Sequence, residues 1–219
     1  MDSKTQTQSP VEQMREFDFS KTTAAENYRL LIGAIVPRPI AFVSTISQAG
    51  QGNLAPFSFF TGVSSDPPCL VFSVTGKRDG THKDTLRNIL ETRQFVVNSV
   101  AEWMAEAMHQ CSADYPYGVD EMKEVGLTPL PSRLIRPFRV KEAPIQMECE
   151  LFQTVEIGAG GSGSATLVIG KILLMHVYEA AYQDGKIQVA ALKPLGRLGG
   201  SSYGVTSGVF DLPRPQPRA

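Results

Sequence analysis

The segment Ile40-Ala-Phe-Val-Ser-Thr-Ile-Ser47 is the clearest strand in the sequence. Pro37 and Pro39 precede it, and the turn residues Gly50 and Gly52 follow it. Aliphatic and β-branched residues between such breakers are typical of a strand. Outward from this segment, the same pattern predicts strands at 57–63, 69–74, 94–100, 145–157, 165–178 and 186–190. The two longest runs predict a hairpin around a Gly/Ser loop, and we expect the last run to extend the same sheet.

Helical patterns are fewer. Thr81 lies three residues before Asp84 in a capping-box-like arrangement, which predicts a helix start there. Apolar residues at helical spacing predict a second helix over 101–112, and a third covers 28–35. In the second helix we expect three side chains in the core, namely Trp103, Met104 and Met108. Many strands, few helices and no strand–helix alternation favour a mostly β fold, either an antiparallel barrel or a sandwich.

Composition and charge exclude several classes of function. Lys and Arg total 21 against 22 for Asp and Glu, so the formal net charge is −1. This balance argues against a protein that mainly binds nucleic acid or an acidic membrane surface. A polar N-terminus and the lack of a long apolar run predict neither a signal peptide nor a membrane span. The three cysteines and three histidines have no ligand spacing. We therefore expect a cytoplasmic protein without a metal site.

The chain is expected to form one domain between two irregular ends. Residues 1–13 are polar and predicted to be flexible, and residues 206–219 form a Pro-rich tail. Between them, residues 14–205 contain neither a linker nor a repeat. The run Gly158-Ala-Gly-Gly-Ser-Gly163 satisfies the letter of a dinucleotide fingerprint. That fingerprint requires a helix after its last glycine, whereas strand-like residues follow here, so the run predicts a hairpin loop.

Several motifs together carry a family resemblance. Pro37-Arg-Pro-Ile40 leads into Phe42-Val-Ser-Thr45 and then into Asn53-Leu-Ala-Pro-Phe-Ser-Phe-Phe60. Further along the chain come Lys83-Asp-Thr85, Phe95-Val-Val-Asn98 and Arg197-Leu-Gly-Gly200 with Tyr203. From about Tyr28 to Tyr203 the chain resembles the flavin reductase-like proteins with an FMN-binding split β-barrel. The resemblance implies a six-stranded antiparallel Greek-key split barrel, a homodimer, and FMN rather than FAD near the subunit interface.

The same resemblance implies a set of cofactor-binding residues. Because the protein positions and tunes the flavin ring, we assign no catalytic acid or base. The implied binding residues are Arg38, Pro39, Ser44, Thr45, Asn53, Leu54, Ala55, Pro56, Ser58, Lys83, Thr85 and Arg197. For Arg38 and Arg197 the sequence leaves open whether they contact cofactor or are surface charges.

One of these residues also has a physical argument of its own. Lys83 falls in the first turn of the helix expected after Thr81, where a cation is unfavourable by typically ~0.3–1 kcal/mol. A phosphate bound at that terminus would make the position of the lysine favourable. The free amides, Lys83 and Thr85 would then all converge on the phosphate. Three neighbours could add positive charge, namely Lys77, Arg78 and His82. The alternative is a lysine that extends into solvent.

The resulting functional hypothesis is an FMN-dependent oxidoreductase. NAD(P)H would deliver hydride to the flavin, and the reduced flavin would pass electrons to oxygen, a partner protein such as an oxygenase, or a second substrate. Two alternatives stay open. One is a flavin-binding electron carrier without NAD(P)H turnover, and the other is a barrel that binds another planar ligand or none. The segment 115–142 matches no motif, and we expect it to determine specificity.

Overall fold

The computed structural model describes residues 14–77, 79–116, 118–161, 163–206 and 208–215. The predicted flexible segment 1–13, Arg78 and the last four residues of the tail lie outside this part of the chain. The helices are α1 (Ala24–Ala34), α2 (Asp84–Thr92), α3 (Ala105–Gln110), α4 (Glu121–Glu124) and α5 (Val189–Leu192), with 3₁₀ turns at Glu102–Met104 and Glu179–Ala181. The long strands are β1 (Ala41–Ile46), β2 (Gly52–Phe57), β3 (Phe60–Ser65), β4 (Pro68–Thr75), β5 (Gln94–Ser99), β8 (Ile145–Ile157) and β9 (Ala165–Val177). Short strands are β6 (Pro129–Leu130), β7 (Arg139–Val140), β10 (Tyr182–Gln183), β11 (Lys186–Ile187), β12 (Leu195–Arg197) and β13 (Tyr203–Val205).

The seven long strands form one antiparallel sheet in the order β2-β1-β5-β8-β9-β4-β3. Its two outermost strands, β2 and β3, are separated in sequence by only Ser58 and Phe59. Because consecutive Cα atoms are about 3.8 Å apart, the sheet must curl until its two edges meet. Within the described chain no ladder joins these edges, so the barrel is split between β2 and β3. The predicted antiparallel split barrel is confirmed.

The strand count differs from the expected six. The predicted strand at 57–63 is divided, because β2 ends at Phe57 and β3 begins at Phe60. Residues 53–56, which the sequence pattern does not predict as a strand, belong to β2. Pro56 is the reason that the sequence does not predict this strand, since proline is disfavoured in a paired strand. It is tolerated here because β2 is an edge strand.

The barrel wall separates two hydrophobic clusters. Every residue of β1 is buried, because alternate side chains point to opposite faces of the sheet and both faces are covered. Ala41 and Val43 belong to the cluster that includes Phe72 and Phe95. Phe42 belongs to the other cluster, to which helices α3 and α4 contribute their apolar side chains. Both faces of β1 are therefore fixed by packing, which holds the strand rigidly beside β2.

Helix α2 packs against the first cluster and directs its N-terminus toward one end of the barrel. Leu86 and Ile89 are buried in that cluster, and the helix contacts β1, β2 and β5. The predicted start of this helix is wrong. Thr81 bonds to Asp79 instead of capping, and Lys83 occupies the N-cap position without a side-chain cap. Helix α1 also begins earlier than predicted, with Thr23 and Glu26 forming a capping box.

Two further expectations are corrected. The run 186–190 does not extend the main sheet, because β11 pairs only with β10 and the chain turns helical from Val189. Trp103 is 54% exposed, whereas Met104 and Met108 are buried as expected. The indole lies on a 3₁₀ turn, whose tighter winding rotates it out of the α-helical stripe.

The Gly-rich run 158–163 connects β8 to β9, as predicted for a hairpin loop; Ser162 lies outside the described residues. The loop packs against the end of β4, where the Gly76 amide donates to the Ser164 carbonyl at 3.0 Å. A Cβ on Gly76 would stand 2.7 Å from the Gly161 carbonyl oxygen, so only glycine permits this approach. A strand rather than a helix follows the run, which removes the geometry of a dinucleotide site.

Candidate functional site

A cavity of about 810 Å³ opens at the end of the barrel beside the N-terminus of α2. Five parts of the chain line it: strand β2, the end of β4 with the residues after it, the start of α2, the segment after α3, and the start of α4. The lining residues are Asn53, Ala55, Pro56, Phe57, Thr75, Gly76, Lys77, Asp79, Lys83, Asp84, Thr85, Cys111, Ser112, Ala113, Asp114, Tyr115 and Glu121. Its volume lies within the usual range for small-molecule and cofactor sites.

A buried polar network forms one side of this cavity. The Asn53 side-chain amide donates to Thr45 Oγ1 at 3.2 Å and to Thr85 Oγ1 at 2.9 Å. Asn88 donates to the same Thr45 oxygen at 3.0 Å. All four side chains are buried, so these hydrogen bonds form away from water and hold β1, β2 and α2 in one arrangement. The network therefore preorganises the cavity wall.

The N-terminus of α2 presents free donors to the cavity. The first amides of a helix have no intrahelical acceptor, and here no side chain caps them. Lys83 stands at the N-cap and lines the cavity. Lys77, by contrast, has its Nζ 3.7 Å from Asp84 Oδ1, which also accepts from Arg87 at 2.8 Å. Within the described residues Lys83 has no ion-pair partner, so its charge is available to a ligand.

The opposite wall is lined by a buried carboxyl group and a thiol. Glu121 is 8% exposed, and its Oε2 accepts the Leu54 amide proton at 2.9 Å. Burial raises the pKa of Glu121, although the hydrogen bond from Leu54 opposes that shift. Burial first, and then the nearby Glu121 and Asp120, raise the pKa of Cys111 to about 12. The thiol is therefore protonated and unreactive at neutral pH.

The structure brings about half of the predicted binding residues together at this cavity. Asn53, Ala55, Pro56, Lys83 and Thr85 line it, and Thr45 supports Asn53 from behind. Leu54 lies between them in β2. Its side chain packs in the hydrophobic cluster that contains Phe42, and its amide donates to Glu121. The Leu54 amide is therefore not free to bind a ligand.

Arg38 lies elsewhere and has a structural role. It is 3% exposed, and its guanidinium donates to the carbonyls of Ile32 and Ile35 at 2.6 Å each and to that of Leu198 at 3.0 Å. Its Nε donates to Ser58 Oγ at 3.4 Å. Ser58, another predicted binding residue, is thus a partner of Arg38 and does not line the cavity. Arg38 thus ties the end of α1 to the chain near β12, away from the cavity lining.

The remaining predicted residues also fall outside the cavity lining. Pro39 is exposed. The Arg197 guanidinium lies over the Tyr203 ring, 4.4 Å from its centroid, and donates to the Gly200 carbonyl. Ser44 donates to the Phe138 carbonyl and accepts from Asn98 at 3.3 Å. Of the neighbouring cations, His82 is exposed beside the cavity rather than in it, and Arg78 is outside the described residues.

Glu121 and the segment 111–115 were missed by sequence analysis. No motif marks them, since Cys111 has no partner cysteine and Glu121 belongs to the uninterpreted segment 115–142. The only local signal is an acidic residue in the first turn of a short helix, which is a common pattern on protein surfaces. Their position follows from the tertiary fold, which brings α4 against the free edge of β2.

The structure thus defines a split-barrel protein with a preorganised cavity that offers helix amides, hydroxyls and one lysine to a ligand. The chain belongs to the flavin reductase-like domain family, whose model matches residues 32–191. This membership makes it a flavoprotein oxidoreductase of a flavin-binding family. No helix in the described ranges is long and apolar enough to cross a membrane. The described residues also contain no group of three His, Cys, Asp or Glu side chains arranged to hold a metal ion.

Individual relatives and solved structures are similar to the chain over most of its length. An uncharacterized protein of Halalkalibacterium halodurans is 44% identical over 191 residues, covering 87% of this chain and 91% of the relative. Nitrilotriacetate monooxygenase component B from Bacillus cereus superposes with a TM-score of 0.88 at 36% identity, covering 92% of this chain and 100% of that chain. For 2-nitrobenzoate 2-nitroreductase NbaA from Pseudomonas fluorescens the TM-score is 0.83 at 35% identity, with 94% and 100% covered.

Proposed function

We propose that the protein is an FMN-dependent oxidoreductase that takes hydride from NAD(P)H and passes electrons onward. The observation that carries the proposal is the convergence of the uncapped α2 terminus, Lys83 and Thr85 on one cavity. FMN has a single terminal phosphate, and helix amides with an adjacent lysine suit such an anion. With three free, buried cysteines, the cytoplasm is the compartment that fits this function.

The residues of the cavity suit FMN in a particular orientation. We place its phosphate at the N-terminus of α2, and its ring along β2, where Ala55 and Pro56 leave room for a flat group. The neutral Cys111 thiol and the Glu121 carboxyl close the far wall and limit access of water. When bound, the flavin supplies the redox chemistry, while the protein binds and orients it.

The acceptor of the electrons is proposed from the relatives. One similar structure is a component of a monooxygenase and another is a nitroreductase. Both favour onward transfer from the flavin, either to a partner protein or to a small second substrate.

We also propose a homodimer with the FMN site near its interface. Helix α1 has no buried residue, and its side chains Tyr28 and Leu31 are 53% and 42% exposed. An 11-residue helix is marginal in water without packing, so a partner surface would stabilise it. Strand β3, at an edge of the main sheet, is exposed in the same way, with Val63 52% exposed. Sedimentation at micromolar concentration should give a dimer, and a monomer alone would contradict this proposal.

The redox function is tested by anaerobic titration of the FMN-loaded protein with NADH and with NADPH. We expect the flavin absorbance to bleach with at least one nucleotide and to return when air is admitted. Stable colour with both nucleotides would contradict the reductase function and favour an electron carrier. A protein that takes up no FMN would overturn both functions, and free FMN without protein is the control.

Lys83→Ala should weaken FMN binding by more than about 1 kcal/mol, because a charge-assisted hydrogen bond to phosphate is lost. The matched control is Lys186→Ala, which removes the same charge from an exposed strand of a separate hairpin. Fluorescence titration with FMN measures both dissociation constants. Equal constants for the two variants would show that Lys83 does not contact the phosphate.

A further inference from the structure

A second cavity of about 540 Å³ lies at the other end of the long β8–β9 hairpin and shares no lining residue with the first. The first cavity adjoins Thr75, which pairs with Ala165 at the start of β9. The second is lined by His176 and Val177 at the end of that strand. At about 3.3 Å per residue, the two ends of β9 are far apart along the strand. A ligand in the second cavity would therefore be separate from the proposed flavin site.

Aromatic side chains form one part of this second cavity. Trp103 and Tyr178 line it and are 54% and 57% exposed. The indole is also fixed in place, since its N–H donates to the Glu142 carbonyl at 3.0 Å. A large aromatic surface that is held rigid and left uncovered is more typical of a binding site than of ordinary protein surface.

Positively charged groups form another part, and one of them is preorganised. Arg139 donates to the Pro131 carbonyl at 2.9 Å and to Gln146 Oε1 at 2.8 Å, with its side chain only 15% exposed. These contacts use some of the five guanidinium N–H groups and leave others for a ligand. Lys141 is exposed and lines the same cavity without an ion pair among the described residues.

The two acidic groups near these cations accept hydrogen bonds from other parts of the chain. Glu142 lines the cavity, but both of its carboxylate oxygens accept the Thr128 amide proton, at 3.2 and 3.1 Å. Glu148 does not line the cavity; it is fully buried and accepts from His176 Nε2 at 2.8 Å. The second cavity therefore combines a fixed indole and an exposed phenol ring with two cations. Arg139 lies 3.9 Å from Glu148, and Lys141 has no ion pair among the described residues.

We propose that the second cavity binds a small planar aromatic anion, such as an arene carboxylate. Its ring would pack on Trp103 and Tyr178, and its carboxylate would accept hydrogen bonds from Lys141 and Arg139. A flat ring matches the aromatic walls, and an anion matches the two cations of the lining, which outnumber its one carboxylate, Glu142.

The chain provides its own reporter, because Trp103 is the single tryptophan in the sequence. Titration with benzoate should change the tryptophan fluorescence in a saturable way, in the presence and absence of added FMN. Calorimetric titration of benzoate provides a second measurement that does not depend on the indole. Benzyl alcohol, which keeps the ring but lacks the charge, should bind at least about tenfold more weakly.

The charge contact is tested by Lys141→Glu, which should weaken benzoate binding about tenfold or more because like charges then face each other. Lys123→Glu makes the same change at an exposed lysine outside this cavity and should leave the affinity unchanged. Thermal melting of both variants checks that they are folded. The proposal is overturned by the absence of saturable binding, by binding that leaves Trp103 fluorescence unchanged, or by equal affinities in the two variants.

Discussion

Replacing Glu148 by glutamine is expected to lower the free energy of unfolding by about 3–5 kcal/mol, because it breaks a buried charged network from one side. The carboxylate is fully buried and accepts three hydrogen bonds: from the amide of Arg133 at 2.9 Å, from the amide of Leu134 at 2.7 Å, and from His176 at 2.8 Å. A glutamine side chain presents an NH₂ group to one of these donors. Urea unfolding followed by circular dichroism measures the loss.

The matched control for this substitution is Glu150→Gln, two residues further along the same strand. Glu150 has a 46% exposed side chain and pairs with Lys171 at 3.1 Å. Exposed pairs of this kind contribute at most about 1 kcal/mol. Similar losses of stability for the two variants would contradict the role assigned to the buried network.

The effect of Glu148→Gln should also depend on pH. Burial alone would raise the pKa of Glu148, but hydrogen bonds from Arg133, His176 and Leu134 outweigh it and hold the pKa below its ordinary value of 4.5. A lowered pKa in the folded state stabilises the protein above the unfolded value and ceases to do so as the pH falls through the folded value. The stability difference between wild type and variant should therefore be constant at neutral pH and shrink below about pH 4.5.

Gly170→Ala is expected to cost about 1–3 kcal/mol by overpacking the barrel interior. A Cβ at this position in β9 would lie 2.3 Å from Cζ of Phe95. That ring cannot withdraw easily, since Phe95 is fully buried and packs edge-on against Phe72 with 5.6 Å between ring centroids. For a chain of this size the melting temperature should fall by about 2–4 °C per kcal/mol.

Gly62→Ala is the matched control for the barrel interior. Gly62 also lies in a strand, β3, but a Cβ there would meet no atom within 4 Å. Alanine at this position should be neutral or stabilise by up to about 1 kcal/mol, because it reduces the backbone entropy of the unfolded chain. If both variants melt at the wild-type temperature, Phe95 does not pack tightly against Gly170.

Local sequence patterns predicted most of the barrel because they are set by short-range chemistry. The long strands β8 and β9 match their predicted bounds closely, since Pro144 precedes the first and the Gly-rich run 158–163 separates the two. Strand β2 was missed because Pro56 argues against a strand until it is known to lie at an edge. The helical spacing wrongly predicted a buried Trp103, because a periodicity of 3.6 residues does not hold on a 3₁₀ turn.

Sequence motifs predicted several residues of the candidate site one by one. They did not predict the contacts that the fold creates between these residues. Asn53 and Thr85 come from separate motifs, and only the fold joins them through a hydrogen bond. For Arg38 the sequence left open a cofactor contact or a surface charge, whereas the structure shows a buried guanidinium whose four acceptors lie within the chain. Glu121 could not be found from the sequence, since its importance depends on its hydrogen bond to Leu54, 67 residues earlier in the chain.

The free edge of β2 has a consequence for solubility. An unpaired strand edge is a template on which another chain can add, and proteins usually block such edges. Here Pro56 has no N–H to offer, and the outward N–H of Leu54 is already bound by Glu121. The wall of the proposed flavin cavity thus also guards the protein against edge-to-edge aggregation. A change at Glu121 would then affect not only ligand binding but also the tendency of the folded protein to self-associate through this edge.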